Sequence, residues 1–280
     1  NPHPHYVLGG MPCSISMEDG NAPINTARLA IVDRSINQAR HMMNDYYLPD
    51  VLAIGHLYVQ KGYTSGGGLA KKRVLAFGMF PEEPFSGATN GDFFKNLLVR
   101  CNGVVEDFAS GVMNAKVYDF TEKDLTDADG VAESVEHGWY EYKGGDDKAL
   151  HPWEGETTPH YTEPKEGTKT EWKALNEQGK YSWLKTPKWR GKLCEVGPLA
   201  RYIVLYTKAK QGLLGDLTWA EQMIVDQIDA VTKVLNVPVE AWLPSTVGRT
   251  AARALDAQLQ AEISKYFFDK LVANIKSGDT

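Results

Sequence analysis

Between residues 21 and 50 the apolar positions Leu29, Val32, Ile36, Ala39, Met43 and Tyr46 return in steps of three and four. That spacing lays one apolar stripe along a helix, and Arg28, Asp33, Arg34 and Gln38 fall largely off it. Asn25 or Thr26 can cap the helix, Pro23 lies just upstream, and Pro49 is expected to stop it. The same logic returns near the other end of the chain. Pro198 suits the first turn of a helix reaching about Lys210. Thr218 and Glu221 form a T-x-x-E capping box opening a helix whose stripe is Leu217, Ile224, Ile228, Val231 and Leu235 and which Pro238 ends. The last helix is predicted from Ser245 or Thr246 to about Lys276. Its apolar residues Leu255, Leu259, Ile263, Phe267, Leu271 and Ile275 recur every fourth position. At 1.5 Å per residue, roughly 30 residues make a helix about 45 Å long.

The middle of the chain has a different texture. Residues 51–59, 73–80, 96–108 and 114–120 are β-branched or aromatic runs broken by Gly and Asn, and they read as strands. Asn102-Gly103 carries the strongest short hairpin signal. The glycine run at 64–72 lacks the spacing of a phosphate loop and reads as a flexible turn. Residues 126–140 read as a short helix capped by Asp127 or Asp129, with Gly138 near its exit. From 141 to 190 the chain is rich in Gly, Pro, Glu and Lys, the composition of a loop. Yet Trp139, Trp153, Trp172, Trp183 and Trp189, five of the seven tryptophans, cluster in and around it. Disordered linkers avoid aromatics, so an ordered irregular excursion that packs on something is expected. The predicted fold class is α+β and predominantly helical: the long helices of a bundle, a small β-rich insertion and a long Trp-rich irregular excursion. Along the chain this reads as loop plus helix over 1–50, a β-rich part over 51–125, a short helix and the excursion over 126–190, and long helices over 191–280.

Composition narrows the classes. With 280 residues, 42% hydrophobic and 24% charged, the chain is long enough to bury a sizeable core and is ordinary globular material. A net charge of −6 gives no basic footprint for nucleic acid. No apolar run approaches the roughly 20 residues that cross a bilayer, so no direct membrane span is expected. The chain opens on Asn1 with neither the basic start nor the apolar core of a signal peptide, and reads as trimmed there. Its three cysteines, Cys13, Cys101 and Cys194, are isolated; with no C-x-x-C pair they read as small buried hydrophobes rather than a zinc site or redox dithiol.

Chemical candidates are few. The seven histidines form no H-x-x-x-H or H-E-x-x-H pair. His3 and His5, in "NPHPH", sit in an extended, proline-braced segment that reads as a surface or interface loop. There is no G-x-S-x-G elbow, and the neighbouring Glu195 would raise the pKa of Cys194 rather than activate it. Asp146-Asp147 reads as a solvated turn. Glu195 lies just before the Pro198 helix and can interact with its positive end. Arg201, Arg249 and Arg253 lie in first helical turns, where a cation opposes the dipole; specific carboxylate partners are expected to outweigh that cost. Gly248, inside a helix, implies that another backbone comes close.

Several stretches taken together resemble one family. "EVGPLAR", "STVGRTAARALD", "HGWYEYKGGDDKALHPWEGETTPHYT", "GKYSWLKTPKWRG", "YFFDKLVANIKSGD" and "NPHPHYVLGGMPCSI" are similar, in order and spacing, to the large subunit of nickel–iron hydrogenases, especially the membrane-associated uptake group. The resemblance runs essentially from Asn1 to Thr280. It implies a parent that converts H2 to protons and electrons at a nickel–iron centre carrying carbonyl and cyanide on the iron. It also implies a heterodimer with a small subunit bearing iron–sulfur clusters, an acceptor such as a membrane cytochrome, and a place on the periplasmic side of the cell membrane. The family's R-x-C-G-x-C and D-P-C-x-x-C ligand motifs and its A-P-R-G arginine are absent from these 280 residues. The segment is therefore expected to be the central portion of one large-subunit domain, with no catalytic and no metal-ligating residue of its own and inactive alone. His3 is the candidate to face the nearest iron–sulfur cluster. Glu195, Arg201 and Arg249 are the candidates for internal ion pairs that brace the helices. The alternative is a non-catalytic scaffold or assembly protein that keeps the fold without metals. A carbohydrate-binding module, suggested by the tryptophans, is disfavoured by the long helices.

Overall fold

The computed structural model describes residues 25–62, 68–81, 94, 96–162 and 178–278. They belong to two compact units: residues 50–256 form one, and residues 1–49 with 257–280 the other. His3, His5, Cys13, Trp172 and residues 64–67 of the glycine run lie outside the described residues. The fold class is α+β with helix predominating, and the sheets are small and antiparallel.

The first helix, α1 (Thr26–Met42), is capped by Asn25, whose side chain accepts the Arg28 N–H at 3.0 Å. Pro49 does not end it. A π-helical turn at Met43–Tyr47 intervenes, in which the Leu48 N–H reaches back to the Met43 carbonyl, and α2 (Leu48–Gln60) continues beyond. The wide turn sits where the proline ring would otherwise strike the carbonyl four residues earlier, so the helical path survives. Residues 51–59 are thus helix, a correction to the strand reading. A short continuous apolar run carries no period that separates the two, and here the preceding helix extends through it.

In residues 50–256 the core is built where β1 (Arg73–Pro81), β2 (Leu97–Glu106) and β3 (Lys116–Tyr118) form an antiparallel sheet covered by helices. Asn102-Gly103 is not a hairpin turn: it lies inside β2, with Phe77 opposite Asn102 and Ala76 opposite Gly103. Gly103 has φ +122°, and a Cβ there would meet the Tyr118 carbonyl oxygen of β3 at 2.5 Å. The glycine admits a neighbouring strand rather than a turn.

The predicted helix over 126–140 is also corrected. A five-residue α3 (Glu122–Thr126) comes earlier, opened by a capping box between Thr121 and Asp124. It is followed by a turn in which Asp127 accepts from the Asp129 and Gly130 N–H groups. The chain then runs extended as β4 (Val131–Ser134). Small strands also run through the Trp-rich region: β5 (Tyr140–Tyr142) pairs with β6 (Thr157–Pro159), and β7 (Thr186–Trp189) lies between β4 and β8 (Lys192–Leu193). Trp189 is buried, with its indole N–H on Asp124 Oδ1 at 3.0 Å, whereas Trp153 is 91% exposed.

Helix α4 (Pro198–Lys210) packs on β1 and β2, and α5 (Trp219–Leu235) packs on α4 and β2. The Thr218–Glu221 capping box is present, and Ile224, Ile228, Val231 and Leu235 of the predicted stripe are buried. The short α6 (Val239–Trp242) buries Trp242 completely, its indole N–H donating to Thr232 Oγ1 at 3.0 Å. The last helix, α7, spans Thr246–Ser277. Ser245 caps it by accepting the Gly248 N–H at 3.1 Å, and a Cβ on Gly248 would run into the Leu243 carbonyl, the close backbone approach that its glycine implied. Leu255, Leu259 and Ile263 are buried, while Leu271 is exposed. In the other unit, Arg40 of α1 grips the carboxylate of Glu262 through Nε (3.0 and 2.9 Å) and Nη2 (2.8 Å), and Asn44 donates to the same carboxylate.

Candidate functional site

The most connected polar group near the predicted site residues is Glu195. Its backbone runs beside β1, donating N–H to the Arg73 carbonyl at 3.1 Å and accepting the Leu75 N–H at 2.9 Å. This fixes the residue as a one-residue extension of the sheet edge. Its side chain does not stay at the start of α4, where Gly197 occupies the cap position without a side-chain hydrogen bond. It turns instead to α7, where Arg249 donates Nε to Oε1 and Nη2 to Oε2, both at 2.6 Å. Oε2 also accepts the Ala70 N–H at 2.9 Å. One carboxylate therefore ties together the segment leading into β1, the sheet edge and the start of α7. The fork geometry of the guanidinium makes the pair directional. Hydrogen bonding to Glu195 pushes the Arg249 pKa up, against the opposing pull of burial.

Arg201 finds a different carboxylate. Its Nη2 donates to Asp256 Oδ2 at 2.6 Å, linking the first turn of α4 to the middle of α7. The pair is incompletely satisfied: Arg201 Nε and Asp256 Oδ1 are buried without a hydrogen-bond partner. Arg253 differs from both, since it is exposed and donates to the Arg249 carbonyl of its own helix.

Pairs that the sequence reading did not single out are at least as deep. Glu221, read only as a cap, is fully buried and receives Arg100 Nε (2.8 Å), Arg100 Nη2 (2.6 Å) and the Arg100 backbone N–H (2.8 Å). That carboxylate raises the Arg100 pKa, with burial opposing. Lys208, also buried, donates to Asp119 Oδ1 at 2.8 Å and the Asn102 carbonyl at 3.1 Å. Asp124 accepts from Arg190 Nε and Nη2 at 3.1 and 2.9 Å. Burial resists its ionisation, but bonds from Arg190 and Thr121 and the Arg190 charge outweigh that, holding the carboxyl down at about 2. The available signal for these pairs was weak, a polar residue interrupting an apolar strand or helix face.

The described residues do not fit a thiolate-held metal centre. Cys101 is fully buried and desolvation pushes its thiol up to about 12. Cys194 sits in an apolar cluster with Leu75, Val104, Val131 and Trp189, and burial pushes its thiol up to about 11. Thiols so placed stay protonated near neutral pH, whereas the thiolate is the metal ligand and nucleophile. Among the described residues, no group of three or more His, Cys, Asp or Glu side chains converges to hold an ion. What the arrangement does chemically is mechanical: buried carboxylates lock helices to a sheet.

Comparison with known proteins supplies the functional context. The family described as nickel-dependent hydrogenase matches residues 1–280. The whole chain is 38% identical to the uptake hydrogenase large subunit of Cupriavidus necator and covers 45% of it. It is 40% identical to that of Rhizobium leguminosarum bv. viciae, covering 43%, and 37% identical to the hydrogenase-1 large chain of Escherichia coli K12, covering 43%. The chain thus spans less than half the length of these relatives. In fold it is similar to the Ni-Fe-Se hydrogenase from Desulfovibrio vulgaris Hildenborough, with a TM-score of 0.54 and 19% identity over 88% of this chain and 41% of that one.

Proposed function

The chain belongs to the nickel-dependent hydrogenase family, and from that premise we propose that it is the central portion of the catalytic large subunit of a nickel–iron hydrogenase of the membrane-associated uptake type. The observation that carries the reading is the match of all 280 residues to uptake hydrogenase large subunits. The parent reaction is oxidation of H2 to protons and electrons, which pass to the iron–sulfur clusters of a small subunit. From that heterodimer they reach an acceptor such as a membrane cytochrome, on the periplasmic side of the membrane. The cofactor of the full-length parent is a nickel–iron centre with CO and cyanide on the iron. Its ligands come from polypeptide other than this segment. Two buried or shielded thiols with raised pKa values support that division of labour.

The segment itself supplies scaffold and subunit interface. Support for the scaffold role comes from the Arg249–Glu195 and Arg201–Asp256 pairs, each of which spans elements far apart in sequence. Support for an interface role comes from the Trp-rich region, where Trp153 and Trp183 are exposed and aromatic anchors suit a contact surface. His3 is proposed to donate a hydrogen bond toward the small subunit's nearest cluster. No helix among the described residues is long and apolar enough to cross a membrane.

The test uses the full-length large subunit, co-produced with its small subunit, beside the 280-residue chain alone. The assembled enzyme is expected to hold stoichiometric nickel and to reduce an artificial dye with H2. The isolated chain is expected to do neither. Stoichiometric nickel on the isolated chain would overturn the assignment of ligands, and an assembled, nickel-loaded enzyme inert toward H2 would overturn the function.

A further inference from the structure

Arg100 and Asn102 stand two apart in β2 and so face the same side of the sheet. Opposite Asn102 on β1 is Phe77, whose ring stacks on Phe120 with 4.7 Å between centroids. The Phe94 ring lies 5.7 Å from that of Phe120. Phe94 and Phe120, together with Arg100, Asn102, Asp119 and Lys208, line a cavity of about 330 Å³. Its polar groups differ in how far they are satisfied. Arg100 is held by Glu221 and by the Leu214 and Asp216 carbonyls at 2.6–2.9 Å. Lys208 places two of its three N–H groups on the Asn102 backbone carbonyl and on Asp119 Oδ1, which leaves one. The Asp119 side chain is 76% exposed. Asn102 is only 7% exposed, yet its side-chain amide has no hydrogen-bond partner among the described residues. Buried polar side chains are nearly always paired, so an idle amide on a cavity wall points to something that pairs with it.

We propose that this cavity binds a neutral, flat ring compound through a carboxamide or lactam edge. The inference goes beyond the proposed function and draws only on side chains of residues 77–221. Donors and acceptors are mixed on the polar wall: Asn102 Nδ2 and the remaining Lys208 N–H donate, while Asn102 Oδ1 and Asp119 Oδ2 accept. A carboxamide carries the complement of both kinds on one planar edge. A carboxylate would answer the donors but set a second negative charge beside Asp119 and leave Asn102 Oδ1 unpaired. An ammonium group would meet Lys208 in the same way. Nor would an ion be drawn in, because the cations of the wall already have counter-charges, Lys208 in Asp119 and Arg100 in Glu221. The apolar side of the cavity selects the rest of the ligand. Phe94 and Phe120 offer ring faces and edges on which a flat ring packs. The volume lies at the small end of ligand pockets and suits one ring with its substituent.

The test uses the full-length large subunit assembled with its small subunit. The complex is photolabelled with 4-azidobenzamide, and the modified peptides are identified by mass spectrometry. Adducts are expected on the peptides that carry Phe94 and Phe120. Unlabelled benzamide should block them at a concentration at least about tenfold lower than benzoate or benzylamine, the discrimination expected when a ligand leaves one buried polar group unpaired. Asn102→Leu should raise the blocking concentration of benzamide by about tenfold or more. Asp119→Asn changes an exposed side chain and should shift selectivity instead. Benzoate should gain about three- to fivefold on benzamide, because one repelling but screened charge is gone. This arm stands if Asn102→Leu fails to assemble. Adducts only on other peptides overturn the proposal, as does equal or better blocking by benzoate or benzylamine. An unchanged benzoate-to-benzamide ratio in Asp119→Asn overturns it too, since the polar wall would then not be what the ligand reads.

Discussion

Helices α4 and α1 were both legible from the sequence, yet they live in opposite surroundings. Nine of the thirteen residues of α4 are buried, from Leu199 to Lys208, and its central residues Tyr202, Ile203, Val204 and Leu205 are completely so. None of the seventeen residues of α1 is buried, and Ile31 and Val32 are about half exposed. Their patterns differ in kind. Helix α4 is apolar on nearly every side, which suits an inner element that a sheet and another helix cover. Helix α1 is amphipathic, with a clean stripe that commits it to covering something without saying what. The comparison teaches that hydrophobic periodicity fixes the conformation of a segment more firmly than it fixes the partner. The α4 region finds its partners within residues 50–256. Polar contacts reach α7 from α1 and from the π-turn that follows it: Arg40 and Asn44 donate to Glu262, Gln258 donates to Asn44, and Lys265 pairs with Asp33.

The largest expected effect tests the self-sufficient side. Trp242→Ala should destabilise the full-length large subunit by about 3–5 kcal/mol, since a fully buried indole is lost and its cavity cannot collapse completely. Thr232 Oγ1 also loses its donor. Urea titration followed by far-ultraviolet circular dichroism reads the change. A loss below about 1 kcal/mol would mean that the core around α4, α5 and α6 is not the stable part of the molecule.

A smaller effect depends on pH. The Asp124 carboxyl lies at about 2 in the folded protein, below the ordinary aspartate range, so the folded state favours its ionised form. Its contribution is complete above the unfolded pKa and is lost as pH falls from near 4 through about 2. The wild type should therefore lose about 1–2 kcal/mol across that window through this group, less than the full shift would imply because Arg190 is 45% exposed and screened. Asp124→Asn should be less stable at pH 7 and show a shallower acid limb over the same range, measured by urea midpoints at stepped pH. Parallel acid limbs for the two proteins would show that the Arg190 pair does not couple to folding.

The α-helical part of the fold was readable because its signals are local. The Thr218–Glu221 box, Pro198 in a first turn and the four-residue repeat of α7 each act within a turn or two of chain. The misreadings share the opposite cause. Whether residues 51–59 form helix or strand depends on α1 running on through a π-turn that ends just before Pro49. Gly103 looked like a turn because the strand that needs its missing side chain, β3, begins thirteen residues later. At the candidate site, the odd placement of Arg201 and Arg249 was visible as cations in first helical turns. Which carboxylates answer them was not, because Asp256 lies 55 positions from Arg201 and Glu195 lies 54 from Arg249. Glu221 was seen as a cap and missed as the partner of Arg100, 121 positions away. A local role hid a distant one.

The smallest expected effect addresses the open side of the comparison directly. Ile31→Ala and Val32→Ala remove methyl groups that are about half exposed on α1. Alanine is also the better helix former, so its propensity offsets part of the lost contact. In the 280-residue chain each substitution should change stability by less than about 0.5 kcal/mol, read as the shift of the thermal midpoint at constant ionic strength. The same substitutions made in the full-length large subunit discriminate between two causes of that exposure. If further polypeptide covers the faces of α1 that carry Ile31 and Val32, each should cost about 1–3 kcal/mol there, because the methyl groups would then be buried and their removal would leave a cavity. Equal and small effects in both contexts would instead mark α1 as a helix whose apolar stripe stays at the surface of the large subunit, where only contact with another subunit would bury it.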